Sequence, residues 1–314
     1  LIAIVNVDGE QVVQFSHFSV REYLTSSRIA ISEDVSHFHV LPKLAHALLA
    51  RACLSVLLQL DYNAVETQTR HFPLAIYAAE HWADHAQFED SDVSSDIRDG
   101  MERLFDRDQP LFTAWIWVHD IDYGRSMLDI HLEEPFQVPL YHAALFGFYD
   151  IAERIISKHP RDVNGMGGYH STPLHGALAK GHLDIALLLL KHGANAKAPD
   201  WRGLTPLCAA SGYVYTEVVQ ALLDRGAGPD EECRYSYSDE DDATPLCMAS
   251  RKGRPEVAQT LLQHRARVDH RNAEGRTPLH IASEEGHNHL VSRYYSRTAQ
   301  MPTRRTTIAK LPCI

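Results

Sequence analysis

Cysteine is scarce and scattered in this chain. Cys53, Cys208, Cys233, Cys247 and Cys313 are odd in number and never arranged as CxxC. They support neither a disulfide framework nor a cysteine zinc site, and a reducing, cytoplasmic location is expected. Long apolar runs are missing as well. The longest, LAHALLARACLSVLLQL, is interrupted by His46 and Arg51 and falls short of the roughly 20 apolar residues a membrane span needs. It reads as a core helix, and no membrane partner is expected. Basic charge is in deficit: 30 Lys and Arg stand against 41 Asp and Glu, a formal charge of −11. Such a balance repels nucleic acid and anionic membrane unless a local patch overrides it, and none is obvious before residue 300.

Signatures of catalysis are also lacking. There is no GxxxxGK[ST], and the one glycine cluster, GMGG at Gly165 to Gly168, does not lie between a strand and a helix, so no ATP site is assigned. His81 and His85 have the i, i+4 spacing of a two-histidine metal face, but EHWADH is not HExxH and no third ligand is indicated. The pairs His37/His39 and His287/His289, and His17 beside Ser16 and Ser19, read as packing or surface residues. No metal, no cofactor and no enzyme activity are expected.

What is present is an ordinary globular balance, 45% apolar and 23% charged over 314 residues, enough for two or three domains. The first residue is Leu1, and LIAIVNV resembles a strand instead of a signal peptide, so the chain is expected to be a fragment of something longer.

The second half carries a repeat: VPLYHAALFGFYDIAERII from Val138, TPLHGALAKGHLDIALLLLKHGA from Thr172, TPLCAASGYVYTEVVQALLDRGA from Thr205, TPLCMASRKGRPEVAQTLLQHRA from Thr244 and TPLHIASEEGHNHLV from Thr277. Their prolines, Pro139, Pro173, Pro206, Pro245 and Pro278, are spaced by 34, 33, 39 and 33 residues. Thr172 suits a helix N-cap and Pro173 the first helical position, where a missing N–H costs nothing. Gly181 and Gly253 permit a tight turn between two short helices, and Gly193 and Gly226 close the second helix in a left-handed conformation. Ile185, Leu188, Leu189, Val218, Val219, Leu222 and Leu223 recur at helical spacing, leaving each hairpin an apolar face that only its neighbour can cover.

Five phased copies of a TPLH-like unit with a period near 33 resemble ankyrin repeats, over about half the chain. Two departures stand out. Cys208 and Cys247 occupy the place of the family's TPLH histidine, which bonds the threonine hydroxyl, so the resemblance leaves that bond in doubt in the third and fourth units. The third unit also has Val214 where the turn glycine belongs, and a distorted turn is expected. The resemblance implies binding through finger tips and inner helices, which puts Lys180, Trp201, Arg202, Tyr213, Arg251 and Lys252 in a protein-binding site. Tyr235 and Tyr237 join them from the finger GPDEECRYSYSDEDDA, lengthened by six residues. That acidic finger is read either as a solvated loop or as a dock for a basic peptide; DEDDA lacks the alternating ligands and glycine turn of a calcium loop.

In the first 135 residues, two β-rich runs flank Asp8-Gly9, a hairpin signal, and a helix is expected from about Ser19. The rest reads as helical, with Pro42, Pro73 and Pro110 at helix starts and Trp82, Trp115 and Trp117 in the core. FSHFSVREYL, ACLSVLLQL, YAAEHWADHA and LFDRDQPLFTAWIWVHDID, in that order and followed by the repeats, resemble the region between the NACHT-type NTPase module and the ankyrin array of fungal NOD-like-receptor proteins. The resemblance implies a winged-helix-like end over 1–30, a helical linker domain over 31–134 and ankyrin repeats over 135–291, four complete and half a fifth. It also implies nucleotide-gated oligomerisation through an upstream domain absent from this sequence. Winged helices often bind DNA, but this one offers only Arg21 and Arg28 beside Glu22.

Residues 292–314 carry no apolar period and are expected to be a disordered tail. A reading frame shifted back by one base from Ser292 permits VEILLENGADADATDNNRKTPLY, which would complete the fifth unit. The forced residues, such as leucine at Tyr294–Tyr295 and alanine at Met301–Pro302, fall where the repeat wants them. A frameshift near the Val291 codon is the hypothesis; a transcript whose codons forbid that reading would defeat it. The expected fold is therefore mainly α, a helical linker domain and an ankyrin solenoid with a small N-terminal β-hairpin. The expected function is protein recognition, as the arm of a signalling NTPase or as a free-standing scaffold.

Overall fold

The computed structural model describes residues 2–7, 10–15, 42–61, 74–87, 95–118, 138–168, 172–213, 215–233 and 244–290. The chain divides into two compact units, Leu1–Leu132 and Glu133–Ile314. The readings made for Asp8-Gly9, the Ser19 helix, Pro73, Val214, Tyr235, Tyr237 and the tail from Ser292 lie outside the described residues.

The first unit opens with strands β1 (Ile2–Val7) and β2 (Glu10–Phe15), paired antiparallel from Ile2 opposite Phe15 to Val7 opposite Glu10. Four helices follow: α1 (Pro42–Leu57), α2 (Leu74–Gln87), α3 (Ser95–Leu104) and α4 (Leu111–Val118). α1 packs on α2 and α3, and α4 on α2 and α3. Their core is an aromatic knot. Trp82 and Trp115 are fully buried and meet edge to face at 5.3 Å, with Phe105 and Phe112 against them. The Trp115 indole N–H would be costly to bury unpaired, and it donates to the Ala79 carbonyl at 3.0 Å. Small residues on α2 (Ala75, Ala78, Ala79, Ala83, Ala86) let the neighbouring helices approach closely. The i, i+4 histidines of α2 do not act as a pair: His85 contacts His46 Nδ1 at 2.8 Å and the Tyr77 hydroxyl at 3.0 Å, while His81 lies beside Glu80 and Asp84.

The second unit is a row of helical hairpins: α5 (Pro139–Phe146) with α6 (Tyr149–Lys158), α7 (Pro173–Lys180) with α8 (Leu183–Lys191), α9 (Pro206–Ser211) with α10 (Thr216–Asp224), α11 (Pro245–Arg251) with α12 (Pro255–Gln263), and then α13 (Pro278–Glu284). First helices stack on first helices from α5 to α13, and second helices on second helices from α6 to α12. Every apolar residue expected on the α8 and α10 faces is buried, including Ile185, Leu189, Val218, Val219 and Leu222 at 0% exposure. Each such side chain is worth about 1.5–3 kcal/mol when covered, and only the adjacent hairpin covers it. Nearest-neighbour stacking therefore holds the row together.

The N-caps follow from the TPL phrase. Thr172, Thr205, Thr244 and Thr277 are extended, and each hydroxyl oxygen accepts the backbone N–H three residues on, at 3.5, 3.3, 3.3 and 3.4 Å. Replacing histidine by Cys208 or Cys247 leaves this backbone cap intact. What changes is the side-chain bond: His175 Nδ1 lies 2.8 Å from the Thr172 hydroxyl, whereas Thr244 points its hydroxyl at Cys247 Sγ, 3.4 Å away. Val214 itself lies outside the described residues, and the caps of the first helices vary along the row: Lys252 and Glu285 end α11 and α13 at φ −84° and −80°. α9 spans Pro206–Ser211 and is capped by Gly212 in right-handed geometry, φ −74°, where α5 and α7 are capped by left-handed Gly147 and Gly181 at φ 81° and 85°. Gly193 and Gly226 end α8 and α10 at φ 88° and 81°, as their sequence implied, and Arg265 takes φ 67° at the corresponding position after α12.

Candidate protein-binding face

Three sets of ties hold the hairpins in register and position what they expose. One lies at the helix turns. His182 sits over Gly147 and donates from Nε2 to the Leu145 carbonyl at 3.2 Å; His287 does the same over Gly253, donating to the Arg251 carbonyl at 3.0 Å. Tyr215 places its hydroxyl where a Gly181 side chain would begin, and Arg254 Nε reaches the Gly212 carbonyl at 3.4 Å. Another lies at the second helices, where Arg225 Nε donates to the Leu190 carbonyl at 3.0 Å. The last lies in the fingers: Asn164 bridges to Gly193 and Asn195, and Asp230 accepts the Arg267 N–H at 2.8 Å.

The finger between α8 and α9 turns at Asp200–Leu204. Asp200 is buried, and its Oδ1 accepts the backbone N–H of Arg202 at 2.9 Å and of Leu204 at 2.8 Å. Its second oxygen faces Arg202 Nε at 3.3 Å. The Arg202 side chain is 15% exposed and its guanidinium lies 5.6 Å from the centre of the Trp201 ring, a cation–π distance. Trp201 is 48% exposed. The finger before α13 repeats the design, with Asn272 Oδ1 accepting the Arg276 N–H at 2.8 Å. The two residues expected to bind from this finger thus part company: Trp201 is presented outward, and Arg202 is folded back on Asp200.

The remaining expected residues lie at the ends of the first helices. Lys180, Tyr213 and Lys252 each follow their N-cap threonine by eight residues and are exposed, forming one row with half-buried Phe146 before them and exposed Glu285 after. Arg251, beside Lys252, is half-buried. Tyr213 stacks flat on Tyr215, ring centres 5.0 Å apart and planes 12° apart. Burial raises the Tyr215 hydroxyl pKa, Tyr213 raises it further and Arg254 opposes them. Sequence reading missed Tyr215 and Phe146, although aligning the units on their threonines would have placed both. Trp201 lies on a finger, apart from the first-helix row in sequence position.

The cysteine reading needs correction. Cys208 and Cys233 are joined by a disulfide, Cα atoms 5.8 Å apart, within the span such a bond requires. A pairing across 25 residues has no spacing motif to announce it, so scattered positions concealed it. Cys53 and Cys247 are buried, and burial pushes the Cys53 thiol up to about 11. Among the described residues no cluster of three or more His, Cys, Asp or Glu could hold a metal ion, and no helix is long and apolar enough to cross a membrane.

A row of capped helix pairs, each covering the next and each throwing out a turn, defines a helical-hairpin solenoid that presents a surface. The array in this chain is an ankyrin-repeat array: residues 140–233 and 228–293 match the family model for ankyrin repeats in three copies. Azaphilone pigments biosynthesis cluster protein L of Monascus ruber is 30% identical over 202 residues, 60% of this chain and 42% of that protein. Mouse (Mus musculus) Rabankyrin-5 is 28% identical over 158 residues, 49% of this chain and 13% of its own. Probable E3 ubiquitin-protein ligase XBOS33 of Oryza sativa subsp. japonica is 51% identical over 58 residues, 18% of this chain and 11% of its own. The chain spans less than half the length of each. Ankyrin repeats mark a protein–protein interaction module.

Proposed function

We propose that the chain docks a protein or peptide partner through its finger turns and the ends of its first helices, without catalytic chemistry of its own. The observation that carries this is Trp201, a large aromatic side chain half exposed on a turn pinned by buried Asp200. An exposed tryptophan on a pre-ordered turn loses little entropy on binding and is a common anchor of interfaces. The row Lys180, Tyr213, Lys252 would supply the polar rim, with Arg251 beside it. The site is tested by selecting a peptide ligand from a displayed library on the full chain and measuring its affinity by fluorescence anisotropy. Trp201→Ala should weaken it at least tenfold with helicity unchanged; equal affinity removes Trp201 from the site.

The finer reading is that this arm belongs to a NACHT-type signalling NTPase of the fungal NOD-like-receptor kind, acting in the cytoplasm. The order of FSHFSVREYL, the two helical phrases and LFDRDQPLFTAWIWVHDID before the repeats supports it. A free-standing scaffold is the alternative, since Rabankyrin-5 and XBOS33 share only parts of their length with this chain. Gene sequence upstream of Leu1 separates the two: a P-loop codes for the first, and its absence rules that reading out.

A further inference from the structure

In the first three hairpins the third residue after the N-cap touches the finger that leads to the next hairpin. In the first hairpin it is Tyr141, whose ring lies against Gly167 so closely that a side chain there would meet Tyr141 Cβ and Cγ at 2.3 Å. In the second it is His175, which donates from Nε2 to the Leu204 carbonyl at 3.2 Å. In the third it is Cys208, and the finger partner is Cys233. A covalent bond thus stands where neighbouring units use packing and one hydrogen bond. Cys233 immediately precedes the inserted stretch of the lengthened finger, so the bond fastens the base of that finger to α9. In the fourth unit Cys247 takes the same place, beside the Thr244 hydroxyl.

We propose that Cys208 and Cys233 are a reversible thiol–disulfide pair by which the redox state of the surroundings sets how firmly the segment ending at Cys233 is held to α9. A cysteine thiolate attacks glutathione disulfide and releases one glutathione thiolate, leaving a mixed disulfide. The second cysteine thiolate attacks the protein sulfur of that bond and releases the other glutathione. Two protein thiols are oxidised, one glutathione disulfide is reduced, and excess glutathione reverses both steps. Cys208 is 0% and Cys233 3% exposed, so either direction requires the finger base to part from α9. Bond and packing are therefore coupled through local opening. With the bond broken, the Cys208–Cys233 tie becomes weaker than its His175 counterpart, because a thiol is a poorer donor than an imidazole N–H.

The full chain is equilibrated with glutathione disulfide or with excess glutathione, unfolded in acid urea, and its free thiols counted by maleimide mass labelling. Oxidation should give two fewer thiols than reduction, the two belonging to Cys208 and Cys233. The melting midpoint should fall by about 5–15 °C on reduction, and Cys233→Ser should abolish that redox dependence. A triple serine variant of Cys53, Cys247 and Cys313 should retain it. Equal thiol counts after the two treatments, or a redox-dependent midpoint in Cys233→Ser, each overturns the proposal.

Discussion

His142 gives the most exact handle on the repeat unit. It lies on α5, fully buried, with its ring edge-on to Tyr141 at 5.0 Å. Burial penalises the imidazolium and lowers its pKa to about 3 from the ordinary 6.5. The unfolded chain takes up a proton near pH 6.5 and the folded chain does not, so folding stability is full above pH 6.5 and falls as the pH drops towards 3. At pH 5 the unfolded state has gained RT ln(1 + 10^1.5), about 2 kcal/mol, while the native state has gained almost nothing. By pH 3 the loss approaches about 4–5 kcal/mol. Urea unfolding followed by circular dichroism, repeated from pH 7.5 to pH 5 on wild type and His142→Leu, isolates this contribution. Contributions from the rest of the chain are common to both proteins and cancel in the difference. The difference should narrow by about 2 kcal/mol over that range in favour of the leucine variant. Parallel curves would mean that His142 is protonated in the folded state and the reasoning is wrong.

Two further outcomes follow from the turns. Arg265 holds φ 67° where Gly193 and Gly226 end the equivalent helices, so Arg265→Gly should raise stability by about 0.5–1 kcal/mol in thermal unfolding. Gly147→Ala should cost roughly 2 kcal/mol, since it adds a Cβ at φ 81° that meets the His182 ring at 2.5 Å. Placing that change in a His182→Ala background should recover the steric part and leave the backbone part, as a double-mutant cycle would resolve.

The hairpins were legible because their chemistry is local. Threonine, proline and leucine in succession fix a cap, a first turn and a buried face within four residues, and repetition at a near-constant period multiplies a weak signal. The aromatic core of the first unit was legible for a similar reason, as Trp82 and Trp115 have few places to go but inside. The links between hairpins were not. Cys208 finds Cys233, and His182 finds Leu145, only once the stacking geometry has brought distant residues together. Arg202 shows the limit for surface residues. Its charge suggests exposure, but the carboxylate of Asp200, two residues earlier, folds the guanidinium back over the turn, and nothing in DWRG alone says which of Trp201 and Arg202 will face solvent. His85 likewise looked like a partner for His81 by helical spacing, yet it is engaged by His46 from another helix.

The seam made by His182, Tyr215, Arg254 and His287 bears on how such an array can change over time. His182 and His287 repeat one design over Gly147 and Gly253, but between them Tyr215 is fitted to Gly181 and Arg254 to the Gly212 carbonyl, side chains that differ from histidine and from each other in length, shape and charge. Excising the third hairpin as a block would bring Arg254 onto Gly181, a seat shaped around a tyrosine hydroxyl. Gain or loss of the third hairpin by recombination is therefore constrained at both of its junctions, and there the hairpins are ordered links instead of interchangeable beads.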